Sequence, residues 1–207
     1  MPAVSNAAVK PEIPVGLTYE EFLEWLDEDL SAEWVDGEII VMSPAAYDHQ
    51  DISDFLTVLM RIHVEDMGLG VVLSAPFQMK LSQRPSGREP DLLFVVNAQR
   101  DIVKKTHLDG AADLVVEIVS KESRGRDTVD KLEEYEEAGV REYWIVDPEN
   151  EELIVHRQDA PGRYEAVRLK DGRYESTVLE GFWMEVAWLW LRPLPKIRAV
   201  LAAWAGE

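Results

Sequence analysis

The stretch DLVVEIVS, residues 113–120, is apolar enough to lie in a sheet covered on both faces, yet it carries Glu117 inside it. An ionised carboxylate removed from water without a partner is costly. Such a strand therefore demands a cation, a proton or a metal ion beside Glu117. The fold must bring another segment to the strand to supply it.

Hydrophobic periodicity sets out the remaining segments. Thr18 followed by Glu21 marks a helix start, and Leu17, Phe22, Leu23, Leu26 and Leu30 trace a helical stripe. Asp36 and Gly37 between apolar segments predict a hairpin turn. From Tyr47 to Met67, Ile52, Phe55, Leu56, Leu59, Met60 and Ile62 recur at three and four, predicting a long helix ended by Gly68. GVVLSAPFQMKL (70–81) and EPDLLFVV (89–96) read as strands separated by a polar turn, SQRPSGR. DLVVEIVS follows a charged loop, RDTVDKLEEYEEAG (126–139) reads as a helix closed by Gly139, and VREYWIVD (140–147) reads as a strand halted by Pro148. LIVHRQ (153–158) and GRYEAVRL (162–169) suggest a hairpin, and the tail from Trp183 holds one or two helices broken by Pro193 and Pro195. This order predicts a mixed α/β fold with helices on a central sheet. Residues 1–16 read as a loose arm, 17–191 as one domain and 192–207 as a helical tail.

Composition narrows the chemistry. There is no cysteine, which excludes disulfides and thiolate metal sites. No apolar stretch approaches the roughly 20 residues of a membrane helix, and MPAVSNAAVK lacks the apolar core of a signal peptide, so a cytoplasmic protein with no membrane association is expected. The 21 Lys and Arg against 40 Asp and Glu give a net charge of -19, a field that repels nucleic acid at long range.

The strand EPDLLFVV offers the carboxylate companion, because Asp91 lies against its apolar residues. Two carboxylates at the ends of adjacent strands make an oxygen-rich site suited to Mg²⁺ or Mn²⁺. Such an ion polarises a phosphoryl oxygen and lowers the pKa of a bound water, as phosphodiester hydrolysis requires. Taken singly, Asp91 also fits a strand-entry residue, and Glu117 a buried ion pair. Asp127, Lys131 and Tyr135, spaced by four, share one helical face directly after the strand of Glu117. Lys131 is thereby a candidate to stabilise phosphoryl charge, or else the partner of Asp127 on a solvated face. Lys121, Arg124 and Arg126 are candidates for a small basic rim that binds substrate.

Together, AEWVDGEIIVMSPAAYDHQDIS, EPDLLFV and GAADLVVEIVSKESRGRDTVDKLEEYEEAGVREYWIVDPE closely resemble the Uma-type restriction-endonuclease family of the PD-(D/E)XK nuclease superfamily, over roughly residues 17–190. The resemblance implies an αβββαβ core, a divalent metal, and Pro90, Asp91 and Glu117 at the matching motif positions. It also implies a metal contact from the main-chain carbonyl of Ile118. Val119 stands where the superfamily has its lysine. The family carries one on the following helix instead, and Lys131 matches it. Glu33 matches an additional acidic position, either a third metal ligand or an ion-pair partner. His49 matches a family position at the start of the long helix, as base, cap or packing residue. Ser120 is expected to cap the loop leaving the strand.

The leading expectation is a metal-dependent endonuclease acting on nucleic acid, DNA before RNA. The alternatives are a catalytically inactive interaction module that keeps the fold, and a metal hydrolase of a small phosphoester. Tyr143, Trp144, Trp183, Trp188 and Trp190 read as core and interface residues rather than base-stacking platforms. Trp204 and the apolar face of the tail helix suggest packing on a partner, with a homodimer as the expected assembly.

Overall fold

The computed structural model describes residues 13–27, 30–121, 123–159 and 162–206. Most of the expected arm, residues 1–12, lies outside them. Helix α1 (Tyr19–Trp25) starts with the expected capping box, in which Thr18 and Glu21 bond reciprocally. It is shorter than the stripe suggested, because Leu26 is already extended and closes it. Next come β1 (Ala32–Val35) and β2 (Glu38–Val41), joined by Asp36 and Gly37. Both turn residues have positive φ (50° and 89°), which a tight antiparallel hairpin needs and which glycine adopts without strain.

Helix α2 (Tyr47–Met67) ends at Gly68 as expected. The segment 70–81 divides between two sheets, as β3 (Gly70–Ser74) and β4 (Gln78–Leu81). The expected polar turn contains a buried strand, β5 (Ser86–Arg88), and β6 (Leu92–Val96) follows. The charged loop before Glu117 contributes β7 (His107–Asp109), and DLVVEIVS forms β8 (Leu114–Ile118). A π-helical turn at Arg126–Asp130 leads into α3 (Lys131–Ala138), capped by Gly139. Strands β9 (Glu142–Asp147), β10 (Glu152–Gln158), β11 (Tyr164–Leu169), β12 (Arg173–Glu175) and β13 (Trp183–Glu185) precede α4 (Ile197–Ala205).

Six strands form the main sheet in the order β11-β10-β9-β8-β6-β3, and a five-stranded sheet runs β2-β1-β5-β4-β7. β8 pairs antiparallel with β6 and parallel with β9. A parallel pair needs a crossover, and the segment carrying α3 supplies it, which places that helix over the sheet. β8 is buried along its whole length. Its alternate side chains serve different cores, with Leu114, Val116 and Ile118 facing the cluster around α2 and Val115 and Val119 facing the cluster around Tyr135. Glu117 has the parity of the second face, towards α3.

The C-terminal segment completes the first core. Val200 of α4 is buried there, and Trp204 packs edge-on against Phe182 and His63 while donating to the Trp183 carbonyl. The expectation that Trp204 docks a partner is thus replaced by packing on its own chain, because the turn before β13 offers an aromatic pocket. Tyr143 and Trp144 are fully buried, as a core role requires. Among the described residues no helix is long and apolar enough to cross a membrane.

Gly70 tests the close packing of β3 on β6. A Cβ there would lie 2.1 Å from the Val95 carbonyl oxygen, a backbone atom with no room to retreat. Gly70→Ala is expected to lower stability by roughly 1–3 kcal/mol in urea unfolding, the usual cost of overpacking.

Candidate active site

The site forms where β6, β8 and the helix from Arg126 to Ala138 meet. Leu92 pairs with Val116 across the antiparallel ladder, so Asp91 and Glu117 are next in register and share a face. Asp91 Oδ2 accepts the amide of Ile118 at 2.7 Å, which fixes the carboxylate at the end of β8. Its other oxygen faces His49 Nε2 at 3.3 Å. His49 comes from the first turn of α2, where Ala46 and not His49 is the cap, so its ring belongs to the site.

Lys131 is buried, and its ammonium stands among three carboxylates: Glu33 Oε1 at 2.8 Å, Glu117 Oε1 at 2.8 Å and Asp127 Oδ1 at 3.1 Å. The expected bridge to Asp127 is present, but not on a solvated face: Lys131 is turned into the interior, where it also meets Glu117. The Tyr135 hydroxyl donates to the same Glu117 oxygen at 2.9 Å. Asp127 Oδ1 lies near the ammonium but receives no hydrogen bond, and His49 Nδ1 is also buried without one.

Electrostatics follow from this crowding. Burial pushes the Glu117 carboxyl well above the ordinary range; Lys131 opposes the shift, while Asp127, Asp91 and Glu33 add to it. Burial acts against the charged form of Lys131, but Glu117, Glu33 and Asp127 outweigh it and hold the pKa well above the usual lysine value. Lys131 is therefore a fixed cation and not a general base. Burial likewise disfavours the charged His49 ring, yet the Asp91 carboxylate prevails and raises its pKa.

A second cation lies behind the first. Arg88 of β5, 2% exposed, donates to Glu33 Oε2 at 2.9 Å and holds Glu134 with both Nε and Nη2. Sequence reasoning missed Arg88 and Glu134. The turn-like composition of SQRPSGR hid a strand, and a strand of three residues carries no readable period. The expected basic rim also changes. Lys121 pairs with Glu149, and Arg124 with Asp147 and Glu149, because the start of the β9–β10 turn is acidic and lies beside them. Arg126 has no carboxylate partner among the described residues; its Nε is buried without a hydrogen bond and its Nη2 donates to Met42 Sδ at 3.7 Å. Ser120 caps the loop, its Oγ accepting the amide of Ser123.

Four carboxylates, Glu33, Glu117, Asp127 and Glu134, share two buried cations, Lys131 and Arg88. Among the described residues no three acid or histidine side chains form a ready-made metal cage, since the lysine ammonium occupies the middle of the carboxylate group. The outer side is different. Asp91 retains 17% exposure, both carboxylates are hard oxygen donors, and no hydrogen bond reaches Glu117 Oε2 among the described residues. This donor set, with negative charge in excess, fits a small divalent cation.

The fold and this constellation define a mixed α/β protein of the restriction-endonuclease-like class. Residues 19–187 match the Uma2 family, described as "Putative restriction endonuclease", and the chain belongs to that family. The crystal structure of "a putative nuclease belonging to DUF820" from Anabaena variabilis is similar, with a TM-score of 0.70 over 84% of this chain and 97% of that one, at 15% identity. No curated protein matches the chain.

Replacing Lys131 by Met strands Glu117 and Asp127 in the interior and leaves Glu33 with Arg88 as its remaining cation. The expected loss at neutral pH is roughly 3–5 kcal/mol, as for other broken buried ion pairs. Stranded carboxylates have folded pKa values above their unfolded ones, so the penalty is complete at high pH and fades as protonation becomes possible. Urea unfolding at about pH 8 and about pH 5 should show the variant's deficit smaller at the lower pH.

Proposed function

We propose that the protein is a metal-dependent endonuclease that hydrolyses phosphodiester bonds, using Mg²⁺ or Mn²⁺. The meeting of Asp91 and Glu117 at adjacent strand ends, with Lys131 bonded to Glu117, is the observation that supports it. Membership of the Uma2 family agrees with the reading. Asp91, Glu117 and the Ile118 main-chain carbonyl would hold the ion, with Glu33 kept back as the counter-charge of Lys131. When bound, the ion supplies Lewis acidity to the phosphate and a more acidic water.

The chain's own residues supply position and charge. Tyr135 and Lys131 fix one oxygen of Glu117, which leaves the other for the metal. The permanent charge of Lys131 offsets charge developing on the phosphoryl oxygens. His49, against Asp91 and at the more open side, is placed to take or return a proton near the attacking water. Arg126, free of carboxylates among the described residues and adjacent to Asp127, is the basic residue best suited to a substrate phosphate. Nucleic acid, DNA first, is the proposed substrate, and a homodimer the proposed assembly.

One observation favours the interaction module as a second reading: Lys131 is already saturated by carboxylates. Two open surface clefts, of about 460 Å³ beside Arg157 and Tyr174 and of about 520 Å³ beside Trp34 and Lys80, include none of the site residues, so neither serves a small-phosphoester hydrolase at this site.

Calorimetric titration with Mg²⁺ or Mn²⁺, followed by plasmid nicking, separates these readings. Binding by the wild type that is abolished in Asp91→Ala, with nicking lost in parallel, is expected. A wild type that binds neither ion at about millimolar concentration favours the module. Arg126→Ala should weaken binding to an oligonucleotide about equally across sequences and lower the salt slope by about one. An unchanged slope would remove Arg126 from the phosphate contacts.

A further inference from the structure

Arg88 is among the largest fully buried side chains, and among the described residues every hydrogen bond of its guanidinium ends on a carboxylate. The two acceptors come from different layers: Glu33 from β1 of the smaller sheet and Glu134 from α3. Glu33 is itself divided. Its Oε2 faces Arg88, and its Oε1 faces Lys131. The result is a continuous chain of charge from Glu134 through Arg88, Glu33 and Lys131 to Glu117 and Asp127.

We propose that Arg88 is a positioning residue of the centre: acting through Glu33, it sets where the Lys131 ammonium stands relative to Glu117. This inference rests on the phosphodiesterase reading of the same site. With Arg88 present, Glu33 is held between two cations and draws Lys131 with only one oxygen. Without it, the full charge of a buried carboxylate falls on Lys131, and the ammonium shifts towards Glu33 and away from Glu117 and Asp127. A lysine at position 88 could not reproduce this, because one ammonium has no planar fork to grip Glu134 twice and still reach Glu33. A purely structural role of the Arg88–Glu134 pair would be served as well by an apolar pair at 88 and 134, since buried ion pairs replaced by packed apolar groups are often neutral in stability, whereas Glu33 would be left with Lys131 as its remaining cation.

That contrast supplies the test. Arg88→Met combined with Glu134→Leu removes the pair without stranding Glu134, and thermal unfolding checks the fold. The ¹H–¹⁵N signal of the Lys131 ammonium, assigned by its loss in Lys131→Met, reports the position directly. Mg²⁺-dependent nicking reports the consequence. The Lys131 signal is expected to move, with kcat lower by about tenfold and KM within about twofold, the pattern of a lost transition-state interaction. Arg88→Lys should move the signal less and recover part of kcat. A folded double variant with the wild-type Lys131 signal and wild-type kcat overturns the proposal. Should the double variant not fold, Arg88→Lys decides alone, and an unmoved signal overturns the proposal. If the wild-type protein nicks nothing, the nuclease reading fails, while the Lys131 signal still decides the role of Arg88.

Discussion

The sharing of one buried ammonium among three carboxylates is the interaction on which the rest of this structure depends. Glu117 lies within a strand buried on both faces, and Lys131 is the cation that makes its burial tolerable. The same ammonium meets Glu33 from the smaller sheet and Asp127 from the π-helical turn, so it ties the smaller sheet and the helical crossover to the main sheet. The parallel crossover from β8 to β9 places the helix where this can happen. Fold and candidate site are therefore held by the same contacts.

Local and global charge act in opposite ways here. The molecule carries a net charge of -19, and several of its basic residues at the surface stand beside carboxylates of the same chain, as with Lys121, Arg124, Arg141 and Arg163. Little is left to displace counterions from a long duplex. At the centre the excess of carboxylate would act in the contrary sense, because the divalent cation proposed there would in turn draw a phosphate. On the proposed reading, a substrate would be recruited by the ion and by Arg126 more than by the general surface.

Much of the site is legible in the residues alone. The apolar run around Glu117 demands a partner, the spacing of Asp127, Lys131 and Tyr135 places all three on one face, and Asp91 stands in a neighbouring strand. All of these meet. Arg88 and Glu134 are not legible, since a charged residue in a turn-like heptapeptide gives no sign of burial, and Glu134 sits in a run of acids that reads as solvated. Lys121 and Arg124 show the limit from the opposite direction: the acidic partners they acquire, Asp147 and Glu149, lie more than twenty residues away and are invisible to local pattern. Trp204 shows the same limit, because an exposed-looking aromatic on an amphipathic helix fits its own core as readily as a partner's.

The sequence by itself determined the mixed α/β order, the long helix α2, the Asp36–Gly37 hairpin turn and the requirement that Glu117 be compensated. These depend on side-chain period, turn chemistry and desolvation, which act over a few residues or on one group. Only the tertiary structure decided that the compensation is a lysine shared three ways, that Arg88 backs it from another sheet, and that Arg126 alone of the basic trio stays free of carboxylates among the described residues. Ion pairing depends on which distant segments are brought within about 4 Å of one another, and that distance is set by packing of the whole chain.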